Sequence, residues 1–181
     1  MAEARRRQEW WKYALVTVPA IVLLGSASGW MSNSGYGNDW FDRLAKPDFM
    51  PPGWAFGAAW TTLYTLMGLA LAMILAEPDS DRKRKGLLLF FVQLIANFAW
   101  SPLFFGAHQV TSALYLIIFI LMVTVATFFA FSPIRKAAAW LLLPYIAWLC
   151  FATILNFQID QRNPDAENKG VVVPAATTQI G

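Results

Sequence analysis

The chain has 181 residues, 57% of them apolar and only 14% charged, with a mean hydropathy of +0.46 and nine tryptophans. An ordinary soluble domain is about 45–50% apolar, so a soluble enzyme, a disordered chain and a nucleic-acid-binding module are all disfavoured. The pI of 9.2 reflects a net charge of only +3, and a lone cysteine, Cys150, excludes an internal disulfide framework and a cysteine zinc site.

After a basic N-terminal stretch over 1–12, apolar windows predict five spans at 13–30, 54–76, 87–106, 111–131 and 137–159. None contains Asp, Glu, Lys, Arg or His. Each is long enough to cross a hydrocarbon core of about 30 Å as a helix. Lipid forces every backbone polar group to be satisfied internally, and the alternating polarity of a barrel strand is absent. The expected fold is therefore all-α: a polytopic five-helix membrane bundle over 13–160. A rival reading takes the basic start, the apolar run 14–24 and the small residues 25–29 as a secretory signal, which would leave four helices.

The connections are tight at 107–110 and 132–136, while 77–86 carries Glu77, Asp79 and Asp81 and then the basic run Arg82–Lys85. One loop, 31–53, is long and rich in Gly and Pro; a long ordered loop is usually functional. The tail 161–181 is expected to be poorly ordered. Ten basic residues fall on one side (Arg5, Arg6, Arg7, Lys12, Arg82–Lys85, Arg135, Lys136) and four on the other (Arg43, Lys46, Arg162, Lys169). The positive-inside rule then puts the N-terminus in the cytoplasm, with the long loop and the C-terminus outside.

Five tryptophans, Trp10, Trp11, Trp30, Trp54 and Trp140, lie at span ends and suit an interfacial belt. Trp60, Trp100 and Trp148 lie deeper. A buried indole seeks a partner for its N–H, so these three point either to a cavity or to ordinary packing. Gln93, Asn97 and Trp100 fall at i, i+4 and i+7 on one face of the third span. That face must turn inward, for interhelical hydrogen bonds or for a ligand. Asn156 can join either arrangement. Pro19, Pro102 and Pro144 interrupt three spans. No intramembrane charge is available to couple an ion gradient. No metal-ligand spacing appears, and His108 in an outer turn reads as a surface residue or as an axial haem ligand.

Three separated motifs then stand out. The first runs from Lys46-Pro47-Asp48-Phe49-Met50-Pro51-Pro52-Gly53-Trp54 to Trp60, with Leu63-Tyr64 and Met67-Gly68 beyond it. The second holds Gln93, Asn97, Trp100, Pro102 and Phe104-Phe105-Gly106-Ala107. The third holds Pro144-Tyr145, Trp148, Phe151-Ala152-Thr153 and Leu155-Asn156. Over residues 13–160 the chain resembles the translocator protein family, also called tryptophan-rich sensory proteins or peripheral-type benzodiazepine receptors.

The resemblance implies a five-helix bundle, usually a homodimer in a lipid bilayer, with a cavity covered by the first loop. It implies porphyrin as ligand, of the protoporphyrin IX type, with no required cofactor, no metal and no nucleic acid. Trp60, Gln93, Asn97, Trp100, Trp148, Ala152, Leu155 and Phe49 fall where the family lines its pocket. Trp60 and Trp148 match the tryptophans implicated in light-dependent porphyrin breakdown, and they would be catalytic only if that activity is real here. A bacterial envelope location, inner or outer membrane undecided, is the corresponding expectation.

Departures from the pattern are Phe49 in place of Trp and His108 in place of Arg. The sterol motif is also altered, with Phe157 for its Tyr and Arg162 displaced by one position, so specific sterol binding is not expected. The leading functional reading is a membrane tetrapyrrole-binding sensor or regulator, with Arg43 or Lys46 pairing the propionates. The alternatives are light-dependent porphyrin degradation, transport of porphyrins or sterol-like amphipaths, and a purely structural membrane subunit.

Overall fold

A computed structural model describes residues 8–167. Arg5–Arg7, Lys169 and the rest of the tail from 168 lie outside the described residues. The elements are α1 (Trp10–Met31), α2 (Asp39–Arg43), α3 (Gly53–Leu75), α4 (Asp81–Ser101) continued by a π-turn (Pro102–Gly106), α5 (Val110–Phe131), α6 (Lys136–Trp140) and α7 (Leu143–Arg162). Five spans are long and apolar enough to cross a membrane: α1, α3, α4 with its π-turn, α5, and α6 with α7. Among the described residues there is no strand. Leu15, Val16, Leu23 and Leu24 of α1 are all more than half exposed, as a lipid-facing surface requires.

Short residues decide how closely the helices approach. A Cβ on Gly68 of α3 would fall 2.6 Å from the Val18 Cα of α1. The Thr17 hydroxyl donates to the Gly68 carbonyl at 2.8 Å in the same contact. One face further along, a Cβ on Gly25 would meet the Tyr64 ring at 2.2 Å. On the basic side, Gly86 admits the Phe131 ring, which stacks on Phe90 at 5.8 Å and 17°. Met67, Ile74, Phe90, Phe131 and Leu142 are fully buried there.

Two segments depart from the sequence expectation. The third span begins at Asp81, not at 87, so Arg82–Lys85 are helical rather than part of the connection. Ser80 caps this start by accepting the Lys83 N–H at 3.1 Å. The Lys83 ammonium is buried and reaches back to the Leu75 and Glu77 carbonyls and the Asp79 carboxylate, at 3.0, 2.7 and 2.9 Å. It thereby fills carbonyls left open at the C-terminus of α3.

The start of the tail is folded as well. Asn163 exchanges two hydrogen bonds with the backbone of Ala45, both at 2.9 Å. Glu167 accepts from the Thr111 and Ser112 N–H groups at the start of α5. Residues 161–167 therefore tie the end of α7 to the long loop and to α5. Of the three prolines, Pro19 sits inside α1 without ending it. Pro102 opens the π-turn, closed by Ala107 N–H to the Pro102 carbonyl at 2.8 Å. Pro144 starts α7, where its missing N–H has no partner to lose.

Candidate functional site

The half of the bundle under the 31–53 loop is hollow. A cavity of about 560 Å³ lies between α1, α3, α4 and α7, and among the described residues no charged side chain or histidine lines it. One wall is aromatic. Trp60 of α3 and Trp148 of α7 meet edge to face with centroids 6.4 Å apart, and Phe56 meets Trp148 at 5.8 Å. The facing wall carries hydroxyls: Ser28 donates to the Phe98 carbonyl at 2.6 Å, and Ser34 pairs with Ser101. Trp100 forms the back, its indole donating to the Ala113 carbonyl at 3.1 Å and its ring stacked on Phe104.

The floor is a polar layer. Tyr64 donates to the Asn97 carbonyl oxygen at 3.0 Å, and the Asn97 amide donates to the Tyr145 hydroxyl at 2.8 Å. Three helices are joined through one buried amide whose two ends are both satisfied. The roof is the loop. Asn38 caps α2 by accepting from the Trp40 and Phe41 N–H groups, both at 3.1 Å. This directs Trp40 and Phe41 down into a buried cluster with Phe104 and Leu155. Gly35 and Gly37 sit at φ of 100° and 93°, left-handed values that glycine adopts without strain.

The structure gathers Trp60, Asn97, Trp100, Trp148, Ala152 and Leu155 on the cavity lining. It does not place Gln93 or Phe49 there. Gln93 is fully buried one turn beyond Asn97, away from the cavity. A helix of 3.6 residues per turn sets Asn97 and Gln93 at different depths, and the Asn97 layer closes the floor between them. Phe49 is about half exposed and packs on Phe151 outside the lining.

Lys46 is not a free cation. Its ammonium donates to the Phe41, Asp42 and Leu44 carbonyls at 2.6, 3.2 and 3.2 Å and lies over the Phe41 ring. Burial lowers its pKa from the ordinary lysine value, and Asp42 opposes that shift. Arg43 remains exposed on α2. His108 has a left-handed backbone at φ 58° and stacks on Trp40 with centroids 4.3 Å apart. It supports the roof and lies outside the lining, so an axial-ligand role in this cavity does not fit.

Sequence reasoning passed over Trp40, Phe41 and Asn163, and met Tyr64 only as part of the first motif, without a role. Only the first pair carried a local signal: two adjacent aromatics inside a loop of Gly, Asn and Asp.

Comparison with known proteins agrees with this architecture. A model of the TspO/MBR family matches residues 16–162. The chain belongs to the TspO/MBR family. The tryptophan-rich protein TspO of Chlorobaculum tepidum is 39% identical over 126 residues, covering 69% of this chain and 80% of that protein. The translocator protein of Bos taurus is 39% identical over 153 residues, covering 81% and 90%. The tryptophan-rich sensory protein of Cereibacter sphaeroides is 37% identical over 126 residues, covering 70% and 78%. The chain is thus an integral, multi-pass membrane protein of this family, and a sensory or regulatory role is consistent with that membership.

Proposed function

We propose that the chain binds a flat, largely apolar amphipath of the porphyrin class and acts as a sensor or regulator of porphyrin handling. The observation that carries this reading is the charge-free cavity of about 560 Å³ walled by Trp60, Trp100 and Trp148. Indole faces stack on planar rings, and a small number of fixed polar groups orients the ligand. The Asn97 layer closes the deep end, so carboxylates on the ligand stay at the loop end, where Arg43 and Arg162 are exposed among the described residues. With Lys46 committed to backbone carbonyls and Arg162 to the Gln158 side chain, Arg43 is the partner for them.

The test is a titration of the detergent-solubilised protein with protoporphyrin IX in the dark, followed by tryptophan quenching. Saturable one-site quenching, lost in a Trp60→Phe/Trp148→Phe double variant, is the expected result. Linear quenching equal to that of detergent alone overturns the assignment. The edge-to-face contact of Trp60 and Trp148 supports a second reading, light-dependent degradation of the bound pigment. The photochemistry would belong to the pigment, dissolved dioxygen would be the oxidant that takes up its electrons, and indole radicals beside the ring would relay them. New absorbance bands on illumination of the wild type, absent in the double variant, support it; identical bands with free tryptophan exclude it.

A further inference from the structure

Cations gather at the end of the bundle away from the loop, and several are already engaged. Lys83 fills carbonyls at the end of α3, Arg135 pairs with Glu77 at 3.4 Å, and Lys12 pairs with Glu9 at 2.8 Å. Arg82, Arg84 and Lys85 at the start of α4 are exposed. Among the described residues none of these three has a side-chain hydrogen bond or an ion pair, and Asp81, a turn above Arg84 and Lys85, is paired with neither.

Two of these cations stand over a distinct surface. Arg84, Leu88, Phe91 and Ile95 are spaced i, i+4, i+7 and i+11 and share one face of α4. That face points out of the bundle: Leu88, Phe91 and Ile95 are 65%, 43% and 67% exposed, whereas Phe90 and Asn97 on the opposite face are buried. At about 100° per residue, Lys85 flanks Leu88 on the side away from Arg84, and Arg82 is turned the other way, above Gly86 and the Phe131 ring. From Arg84 to Ile95 the stripe runs about 16 Å along the axis, the depth of one leaflet. A charged top over an apolar run of that length has the form of a single lipid. Trp11 and Trp140, both more than half exposed, set the headgroup level at this end. A zwitterionic headgroup would bring its own ammonium up to Arg84 and Lys85, whereas a net-negative one brings phosphate oxygens alone, which a guanidinium grips in pairs.

We propose that Arg84 and Lys85 hold the headgroup phosphate of an anionic phospholipid whose acyl chain lies along Leu88, Phe91 and Ile95. Arg82, equally exposed but off the stripe, is outside the site. The inference is independent of the cavity and of what it binds.

The experiment places the full chain with ¹⁵N-labelled arginine in phosphatidylcholine bicelles and replaces a rising share of the lipid with phosphatidylglycerol. The Nε resonances of Arg82 and Arg84 are assigned by their loss in Arg82→Lys and Arg84→Lys. In the wild type the Arg84 resonance shifts and saturates while phosphatidylglycerol is still the minor lipid, and the Arg82 resonance drifts in proportion to its content. Lys85→Gln raises the share needed to half-saturate Arg84 about fivefold, the effect of one basic residue at an anionic lipid. Glycerol phosphate, which has the headgroup chemistry but no chain, gives no saturable shift. Equal, proportional drifts at Arg82 and Arg84 mean a general surface potential only and overturn the site. Saturation by glycerol phosphate at matching concentration overturns the lipid as occupant. Cross-linking of two copies through Leu88→Cys in a Cys150→Ser background, unchanged by phosphatidylglycerol, means that a second copy covers the stripe and overturns it as well.

Discussion

The two halves of the bundle are made of the same kinds of residue and come out as different materials. On the basic side, Phe90, Phe131, Met67 and Leu142 fill the space between helices to full burial. On the loop side, Trp60, Trp100 and Trp148 stand around about 560 Å³ of space. Hydrophobicity does not distinguish the halves; how completely the side chains fill the space between helices does. Gly68 and Gly86 let backbones and rings close up in one half, whereas in the other the indole walls border open space. The Asn97 layer separates the two. Each half also uses one lysine in the same way, Lys83 filling carbonyls at the C-terminal end of α3 and Lys46 those at the C-terminal end of α2.

The sharpest way to break this contrast is to hollow the solid half. Phe131→Ala removes a fully buried ring from its stack on Phe90 and is expected to cost about 3–5 kcal/mol in stability, read as a drop in denaturation midpoint in detergent. A loss under 1 kcal/mol would mean that the basic side tolerates voids as the loop side does. Forcing the helices apart comes next. Gly68→Leu sets a side chain against the Val18 backbone and is expected to destabilise by about 1–3 kcal/mol. If α1 and α3 separate as this predicts, cysteines introduced along that contact lose their cross-linking.

Loosening the roof is a smaller effect. Asn163→Ala deletes both bonds to Ala45 and is expected to cost about 1–2 kcal/mol, concentrated in faster hydrogen exchange over 38–46 with α3–α5 unchanged. Uniformly faster exchange would refute a local strap.

The smallest effect is that of pH on the roof. The folded-state pKa of Lys46 is lowered, chiefly by burial, so just below the ordinary lysine value the unfolded loop binds more protons than the docked one. Loop docking should therefore strengthen as pH rises through that window. Lys46→Met removes the pH dependence; a docking equilibrium that weakens with rising pH contradicts the assignment.

Much of the bundle was legible in advance because the bilayer imposes a simple rule. Runs of about 20 apolar residues without charge become helices, and apolar windows find them. The same rule hid the start of α4. Windows that exclude charge stop at 87, whereas the helix is begun by Ser80 and Asp81 and keeps Arg82–Lys85 within it. The candidate site was legible where helical period decides it: Asn97 and Trp100 share a face and both reach the cavity. The resemblance also put Gln93 there, and period could not correct it, because a face has direction but no depth. Phe49 was placed by motif position, and the loop turns it outward onto Phe151 instead.

By itself the sequence determined that this is an all-helical chain of five spans with an inward polar face on the third, because desolvating backbone and amides in lipid leaves no other arrangement. Only the tertiary structure decided which half is hollow, which buried amides are satisfied and what holds the roof. Those depend on contacts such as Gly68 with Val18, Tyr64 with Asn97 and Ala45 with Asn163. Such partners lie tens of residues apart, where no local period or composition brings them together.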